Sequence, residues 1–258
     1  MMSIDPIAAQ KIKESNYDFF DFGASKGGSI EFAKKKLRGS RGLGFDLNQK
    51  KVDIANAAGL ECMRADVTDL QLPEDCTRFV MISHFLEHLP SFDVVRKSVM
   101  TATKVAREFV YIQGPYYDSD AYLAKKGFKF FWSDWKAHSF HLTALHLKEM
   151  LAHLDPKDVF IAFYQPIYGS YHPTLHPLSS PRNQFDYSPA LHPPKAARIF
   201  WRPVFREVLC VIRTGPCQDW ERLKRARGTV YSLEEIAGKK FRMKWVFLAM
   251  WNFLKRPR

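Results

Sequence analysis

Tyr17-Asp18-Phe19-Phe20-Asp21-Phe22-Gly23-Ala24-Ser25-Lys26-Gly27-Gly28-Ser29 decides how this chain folds. A short apolar run carries an acid, turns at a glycine-rich loop, and enters the helical pattern Ile30-Glu31-Phe32-Ala33-Lys34-Lys35-Lys36-Leu37. That is the strand–loop–helix opening of a nucleotide-binding α/β domain. Glycines let the backbone turn sharply and approach a ligand that a Cβ would obstruct. The helix start that follows offers free N–H groups and a partial positive charge to an anionic group.

Outward from this stretch, strand-like and helix-like segments alternate through residue 165. The strands are expected at Phe19–Phe22, Gly42–Asp46, Glu61–Arg64, Phe79–Ser83, Phe109–Gln113 and Val159–Tyr164. Apolar residues at helical spacing mark Ser29–Leu37, Gln49–Ala58, Phe92–Val105 and Ala144–Leu154. Alternation of this kind gives an α/β fold, a mostly parallel sheet with helices on both faces. A last apolar strand, Phe205–Ile212, follows an irregular insert, Pro166–Pro203, rich in Pro, His, Ser and Tyr. An insert of that length is usually functional or disordered. Its aromatics, Tyr168, Tyr171, Phe185 and Tyr187, point to partial order and suit a lid over a site.

At 258 residues and 46% hydrophobic content, the chain has enough material for one full core plus appendages. Cys62, Cys76, Cys210 and Cys217 are scattered, with no CxxC pair, and read as reduced structural thiols. No N-terminal segment has a signal-peptide layout, so the expected location is cytoplasmic. The net charge of +12 is unevenly spread: Glu221–Arg258 holds eleven Lys or Arg against three Glu, so +8 lies there and +4 on the first 220 residues. A near-neutral domain with a basic tail suggests an anionic partner for the tail.

Acids recur where a ligand would meet them. The second strand ends in Asp46, about twenty residues after the glycine loop, where a carboxylate suits ribose hydroxyls. The third is followed by Arg64-Ala65-Asp66-Val67-Thr68-Asp69-Leu70, and the fourth runs into Ser83-His84-Phe85-Leu86-Glu87-His88-Leu89. Four successive strands thus deliver polar residues to one sheet edge, where such folds bind ligands.

With these four motifs in order, the chain resembles the class I S-adenosylmethionine-dependent methyltransferases, over roughly residues 15–215. Asp21-Phe22-Gly23-Ala24-Ser25-Lys26-Gly27 resembles that family's acid-x-Gly-x-Gly-x-Gly loop, with Ser25 in place of the middle glycine. Ser83-His84-Phe85-Leu86-Glu87-His88-Leu89 is similar to a Ser-His-x-Leu-Glu-His-Leu segment of small-molecule and glycan methyltransferases. The resemblance implies a Rossmann-like sheet of seven strands, the last antiparallel, and S-adenosyl-L-methionine as cofactor. It implies cofactor contacts from Asp21, Gly23, Ala24, Ser25 and Gly27, from Asp46 and Leu47 at the ribose, from Asp66 and Val67 at the adenine, and from Ser83 and His84.

Other patterns weigh less. A dinucleotide site expects G-x-G-x-x-G, which Gly23, Gly27 and Gly28 do not give. His84-Phe85-Leu86-Glu87-His88 formally matches H-x-x-E-H, but zinc-protease chemistry needs both histidines on one long helix and a further ligand. Pro90 interrupts such a helix, and no metal is expected. Gly114-Pro115-Tyr116-Tyr117 follows the fifth strand, where it would shape an acceptor mouth.

Methyl transfer from a sulfonium is an in-line displacement governed by positioning, and a hydroxyl acceptor benefits from a general base, most often histidine. The candidates are His88, His138 and His141, the last two in Phe130–His141, a segment that in the resembled family often covers the acceptor. The tail Lys239-Lys240-Phe241-Arg242-Met243-Lys244-Trp245 continues to Leu254 and ends Lys255-Arg256-Pro257-Arg258. Its apolar part is too short to span a bilayer, which takes roughly twenty residues. It suits an interfacial helix over 241–255 on an anionic membrane, or a helix packed on the domain or on a second subunit.

The reading is therefore a methyltransferase domain over 1–215, with the 166–203 insert near the acceptor site, and a basic aromatic tail over 216–258. The expected activity is O-methylation of a small-molecule, glycan or lipid-linked acceptor in polysaccharide biosynthesis, in the cytoplasm and peripheral to the inner membrane face. An RNA or DNA methyltransferase holding phosphates with its tail, and an inactive cofactor-binding scaffold, are the alternatives. Nucleic acid is the less favoured partner, because the tail aromatics form one block and do not interleave with the cations.

Overall fold

The computed structural model describes residue 10 and residues 12–254. Among the described residues ten strands form two sheets: β1 (Phe19–Phe22), β2 (Gly42–Asp46), β3 (Glu61–Arg64), β4 (Thr77–Ser83), β5 (Ala106–Pro115), β6 (Phe128–Phe130), β7 (Val159–Gly169), β8 (Leu175–Pro177), β9 (Ile199–Arg213) and β10 (Val230–Ser232). The main sheet has the order β10-β7-β9-β5-β4-β1-β2-β3. β1 pairs in parallel with β2 and β4, and β4 with β5, while β9 runs antiparallel to both β5 and β7. Seven of these eight strands are those read from the sequence. The eighth, β10, comes from the basic segment and pairs antiparallel with β7 at the sheet edge.

The central strands lie buried between two apolar layers, and so read as continuous hydrophobic runs. On one face Phe19, Phe79 and Phe109, from β1, β4 and β5, stack at 4.9 and 4.6 Å between ring centroids. On the other, Phe20 and Phe22 meet Phe45 edge-on. The helices start where the sequence supplies caps: Asn48 before Gln49–Ala57, Ser91 before Phe92–Val105, and Thr143 with His146 as a capping box before Ala144–Met150. That last helix ends four residues short of the expected Leu154.

The 166–203 insert is partly strand. β7 continues to Gly169, which pairs with Ile199 at the start of β9, and β8 pairs with β6 as a small separate sheet. The insert packs on the segment before it: Phe185 lies 4.8 Å from Trp135 between centroids, and Lys136 donates its backbone N–H to Asn183 Oδ1 at 2.7 Å.

After residue 215, Trp220 and Leu223 are buried in the same apolar layer as Phe19 and Phe79. The helix Lys239–Leu254 buries Trp245 and Ala249 completely. Trp245 stacks on Tyr168 at 4.7 Å and donates its indole N–H to the Phe200 carbonyl at 3.2 Å. Of the two readings of the tail, packing on the domain accounts for these residues. The opposite face, with Met243, Phe247, Met250, Trp251 and Leu254, is exposed. The closing residues 255–258 lie outside the described residues. Among the described residues no helix is long and apolar enough to cross a membrane.

Candidate active site

The carboxyl ends of the parallel strands β1, β2, β4 and β5 open on one edge of the sheet, where connecting loops are free to shape a site. The glycine loop leaves β1 there. Gly23 sits at φ +76°, and a Cβ on it would fall 2.2 Å from the Phe85 ring. Gly27 takes φ +88° immediately before the helix Gly28–Lys36. Ser25, where the resembled motif has glycine, also takes a left-handed φ of +52°. That conformation costs a non-glycine residue about 1–3 kcal/mol. It is offset by a hydrogen bond in which the Ser25 backbone N–H donates to Asp46 Oδ2 at 2.9 Å. The other Asp46 oxygen accepts from the Asn48 N–H at 2.8 Å, so Asp46 ties the ends of two loops together.

Asp21 is fully buried under this loop. The Ser29 hydroxyl donates to Oδ2, while Oδ1 has no partner. Burial, aided by the charge of Asp46 and opposed by the Ser29 bond, pushes its carboxyl up to about 7. On the far side of Asp46, Leu47 is exposed and Val67 is buried. Asp66 Oδ1 accepts from both the backbone N–H and the hydroxyl of Thr68, fixing that turn.

A cleft of about 520 Å³ runs from Gly23 and Ser25 across Phe32 to Ser83, His84 and Gln113. Two of its walls went unmarked in the sequence reading, Glu207 on β9 and Arg227 in the basic segment. Antiparallel pairing sets Glu207 opposite both Pro115 and Tyr164, which brings it to the carboxyl end of the parallel strands. A lone acid inside the apolar run Phe205–Ile212 was the available signal. Arg227 lays its guanidinium 3.7 Å over the Phe32 ring and donates Nε–H to Gln113 Oε1 at 2.6 Å, and Gln113 in turn donates to the Ser83 hydroxyl at 2.8 Å. Nothing in a cationic tail marks one arginine as an inward one.

His84, at φ +49°, stands between two carboxylates, with Nδ1 3.6 Å from Glu87 and Nε2 3.3 Å from Glu207. Burial disfavours its cation, but the bonds to Glu207 and Glu87 prevail and push it up to about 9. Glu207 is held below the usual carboxylate range against its own burial, because His84, Tyr164 and Arg227 all favour its charge.

A smaller cavity of about 220 Å³ adjoins this cleft and shares His84 and Glu207 with it. Glu87, His88, His138, Phe131, Trp132 and Arg206 also line it. His88 and His138, fifty residues apart in sequence, face each other with centroids 5.0 Å apart. His141, the third candidate base, is not among the lining residues. It stacks on Tyr117 at 4.3 Å and pairs with Asp120 at 3.2 Å. Arg206 has a buried Nε with no hydrogen-bond partner.

Residues 20–109, from β1 through β4 into β5, match the family model described as a methyltransferase domain. Over those residues the chain carries a methyltransferase domain. Its fold is that of a methyltransferase from Archaeoglobus fulgidus, at TM-score 0.50 and 16% identity, with 80% of this chain and 93% of that one covered. The YcgJ protein from Bacillus subtilis gives TM-score 0.53 at 11% identity, covering 81% and 98%. No curated protein matches the sequence significantly. The cofactor of this methyltransferase is S-adenosylmethionine, and the cleft fits it. The glycine loop lines it from Gly23 to Gly28, Ser25, Ser83 and Glu207 supply acceptors, and Arg227 and Lys26 supply cations beside the helix start, while Asp21 and Asp46 act from beneath, holding the loop through Ser29 and Ser25.

Proposed function

We propose that this methyltransferase O-methylates a glycan or lipid-linked acceptor. The observation that carries the reading is the shared wall: the cofactor cleft and the His88–His138 cavity meet at His84 and Glu207. The bound cofactor supplies a methyl group made electrophilic by a sulfonium. Gly23, Ala24, Ser25 and Gly27 would embrace it, Asp46 and Leu47 would hold the ribose end, Asp66 and Val67 would flank the adenine, Ser83 and His84 would line the remaining wall, and Asp21 would support the loop from below through Ser29. Arg227 faces the carboxylate. The acceptor oxygen would sit in the smaller cavity, which shares His84 and Glu207 with the cleft, and positioning there would supply most of the acceleration. The wall of Glu87, His88 and His138 receives the hydroxyl proton, and His141 orients Tyr117 behind it.

Three features support the acceptor class. Phe131 and Trp132 offer flat aromatic faces on which a sugar ring packs. The unpartnered Arg206 Nε suits an anionic group such as the phosphate of a lipid-linked glycan. The exposed stripe Met243, Phe247, Met250, Trp251 and Leu254, flanked by exposed Arg242 and Lys244, suits peripheral attachment to an anionic membrane. The catalytic unit is then residues 1–215, with the 166–203 insert beside the acceptor and residues 216–258 closing the cofactor cleft and meeting the membrane.

The test is transfer of a labelled methyl group from S-adenosylmethionine to fractionated cell extract. The label is expected in the glycolipid fraction, as a methyl ether, and a methyl ester or label confined to RNA or DNA contradicts the proposal. Flotation with anionic liposomes tests attachment: the protein is expected at the top of the gradient with phosphatidylglycerol vesicles, and its staying at the bottom rules attachment out.

A further inference from the structure

His88 and His138 are arranged as ligands are. His88 Nδ1 lies 2.8 Å from the Ala137 carbonyl, and His138 Nδ1 lies 2.8 Å from the Trp132 carbonyl. A carbonyl only accepts, so each ring in its neutral form carries its proton on Nδ1 and keeps the lone pair on Nε2; the Tyr117 hydroxyl, 3.0 Å from His138 Nδ1, then accepts from the same N–H. Metal-binding histidines are held in this way, the remote N–H fixed by a backbone carbonyl or carboxylate so that tautomer and orientation are set. Glu87 brings a carboxylate to the same place, and its side chain is only 4% exposed. One ligand-type atom from each of Glu87, His88 and His138 lies within 4.8 Å of the others, and all three residues line the 220 Å³ cavity. Among the described residues this is the one group of three such side chains brought so close.

We infer that Glu87, His88 and His138 form a binding site for one divalent transition-metal ion, with open positions facing the acceptor cavity. Two imidazoles and a carboxylate favour Zn²⁺, Co²⁺, Fe²⁺ or Mn²⁺ over Ca²⁺ and Mg²⁺, which prefer oxygen. The H-x-x-E-H pattern of a zinc protease needs both histidines on one long helix, which Pro90 interrupts, and a further ligand. The grouping here is a different one: His84 faces Glu87 and Glu207, and the histidine that joins Glu87 and His88 is His138, supplied by the segment after β6. The 3-10 turn Leu86–His88 places Glu87 and His88 side by side without any long helix.

This site rests on the smaller cavity being the acceptor site, and it gives the His88–His138 wall its chemistry. A metal ion there would acidify and orient an acceptor hydroxyl. With their lone pairs on the ion, His88 and His138 would no longer take the hydroxyl proton themselves; it would pass to solvent on the exposed side of His88, and the oxygen would keep its electron pair to form the new bond to the methyl carbon. The electrons of the broken carbon–sulfur bond stay on sulfur.

Titration of the full-length protein with Co²⁺, followed by visible absorption and by calorimetry, tests the site without turnover. One Co²⁺ per chain is expected, with affinity falling at least ~10-fold in each of His138→Ala, His88→Gln and Glu87→Gln. S-adenosylmethionine binding, read by calorimetry in the same samples, stays within twofold of wild type and certifies folding. Absence of Co²⁺ binding at millimolar metal, or equal binding in wild type and in folded variants, overturns the proposal. Co²⁺ bound as expected while no hydroxyl acceptor is methylated upholds the metal site and sinks only the acceptor reading.

Discussion

His84 shows how far a single side chain is governed by its neighbours. An imidazole beside one buried carboxylate gains charge, and His84 has two, Glu87 and Glu207. Its folded pKa of about 9 lies above the unfolded value, so its stabilisation is complete below about pH 6.5 and is lost as pH rises through 9. The side chain is 47% exposed, so screening holds the contribution to about 1 kcal/mol or less. Wild type should therefore lose its thermal advantage over His84→Gln between pH 6.5 and 9.5, read by calorimetric melting, and a constant difference over that range would contradict the ion-pair assignment. Gly23→Ala tests the loop at the same scale. The φ of +76° and the 2.2 Å approach to Phe85 leave no room for a methyl group, so a loss of about 1–3 kcal/mol is expected with weakened cofactor binding. A melting temperature unchanged within 1 °C would show that the loop is not so built.

At the scale of elements, what was legible in the sequence was what local pattern dictates. β1, its loop and the helix Gly28–Lys36 are contiguous, and the acids after β2 and β3 fall at the strand ends that periodicity locates. Glu207 and Arg227 were not legible as site residues, because each reaches the cleft only through long-range pairing. β9 must turn back antiparallel between β5 and β7 before Glu207 meets His84, and β10 must lie on β7 to hold the strand of chain that follows Arg227. His88 and His138 were both legible as candidates, but their approach depends on where the segment after β6 returns. The helix Lys239–Leu254 was ambiguous for a physical reason: from Trp245 to Leu254 it is apolar on nearly every side, broken only by Asn252, with one face buried by Trp245 and the other exposed. Trp245→Ala removes a large buried ring and an indole hydrogen bond to Phe200, for an expected loss of about 3–5 kcal/mol. That corresponds to a fall of roughly 10 °C in melting temperature for a domain of this size. Phe247→Ser on the exposed face should leave melting within 1–2 °C and lower liposome recovery. Reversed effects would exchange the roles of the two faces.

At the scale of the molecule, the glycine loop and β4 supply one cavity wall, the antiparallel half of the sheet supplies the opposite wall, and the insert and C-terminal helix flank them. The larger cleft and the smaller cavity share only His84 and Glu207 among their lining residues, so in the proposed function the chemistry is confined to one contact between two otherwise separate spaces. The +8 segment is then not a free appendage: its first part buries Trp220 and Leu223 and sends Arg227 into the cofactor cleft, and its last helix covers the sheet. The central claim is that this cleft holds S-adenosylmethionine through Arg227 and the glycine loop that Asp46 fixes. The most direct measurement is calorimetric titration of S-adenosylmethionine into wild type, Asp46→Ala and Arg227→Ala. One site per chain is predicted, weakened about 10- to 100-fold in each variant, since a hydrogen bond to a charged group contributes about 1.5–3 kcal/mol. No binding to wild type, or binding that neither substitution alters, would contradict it.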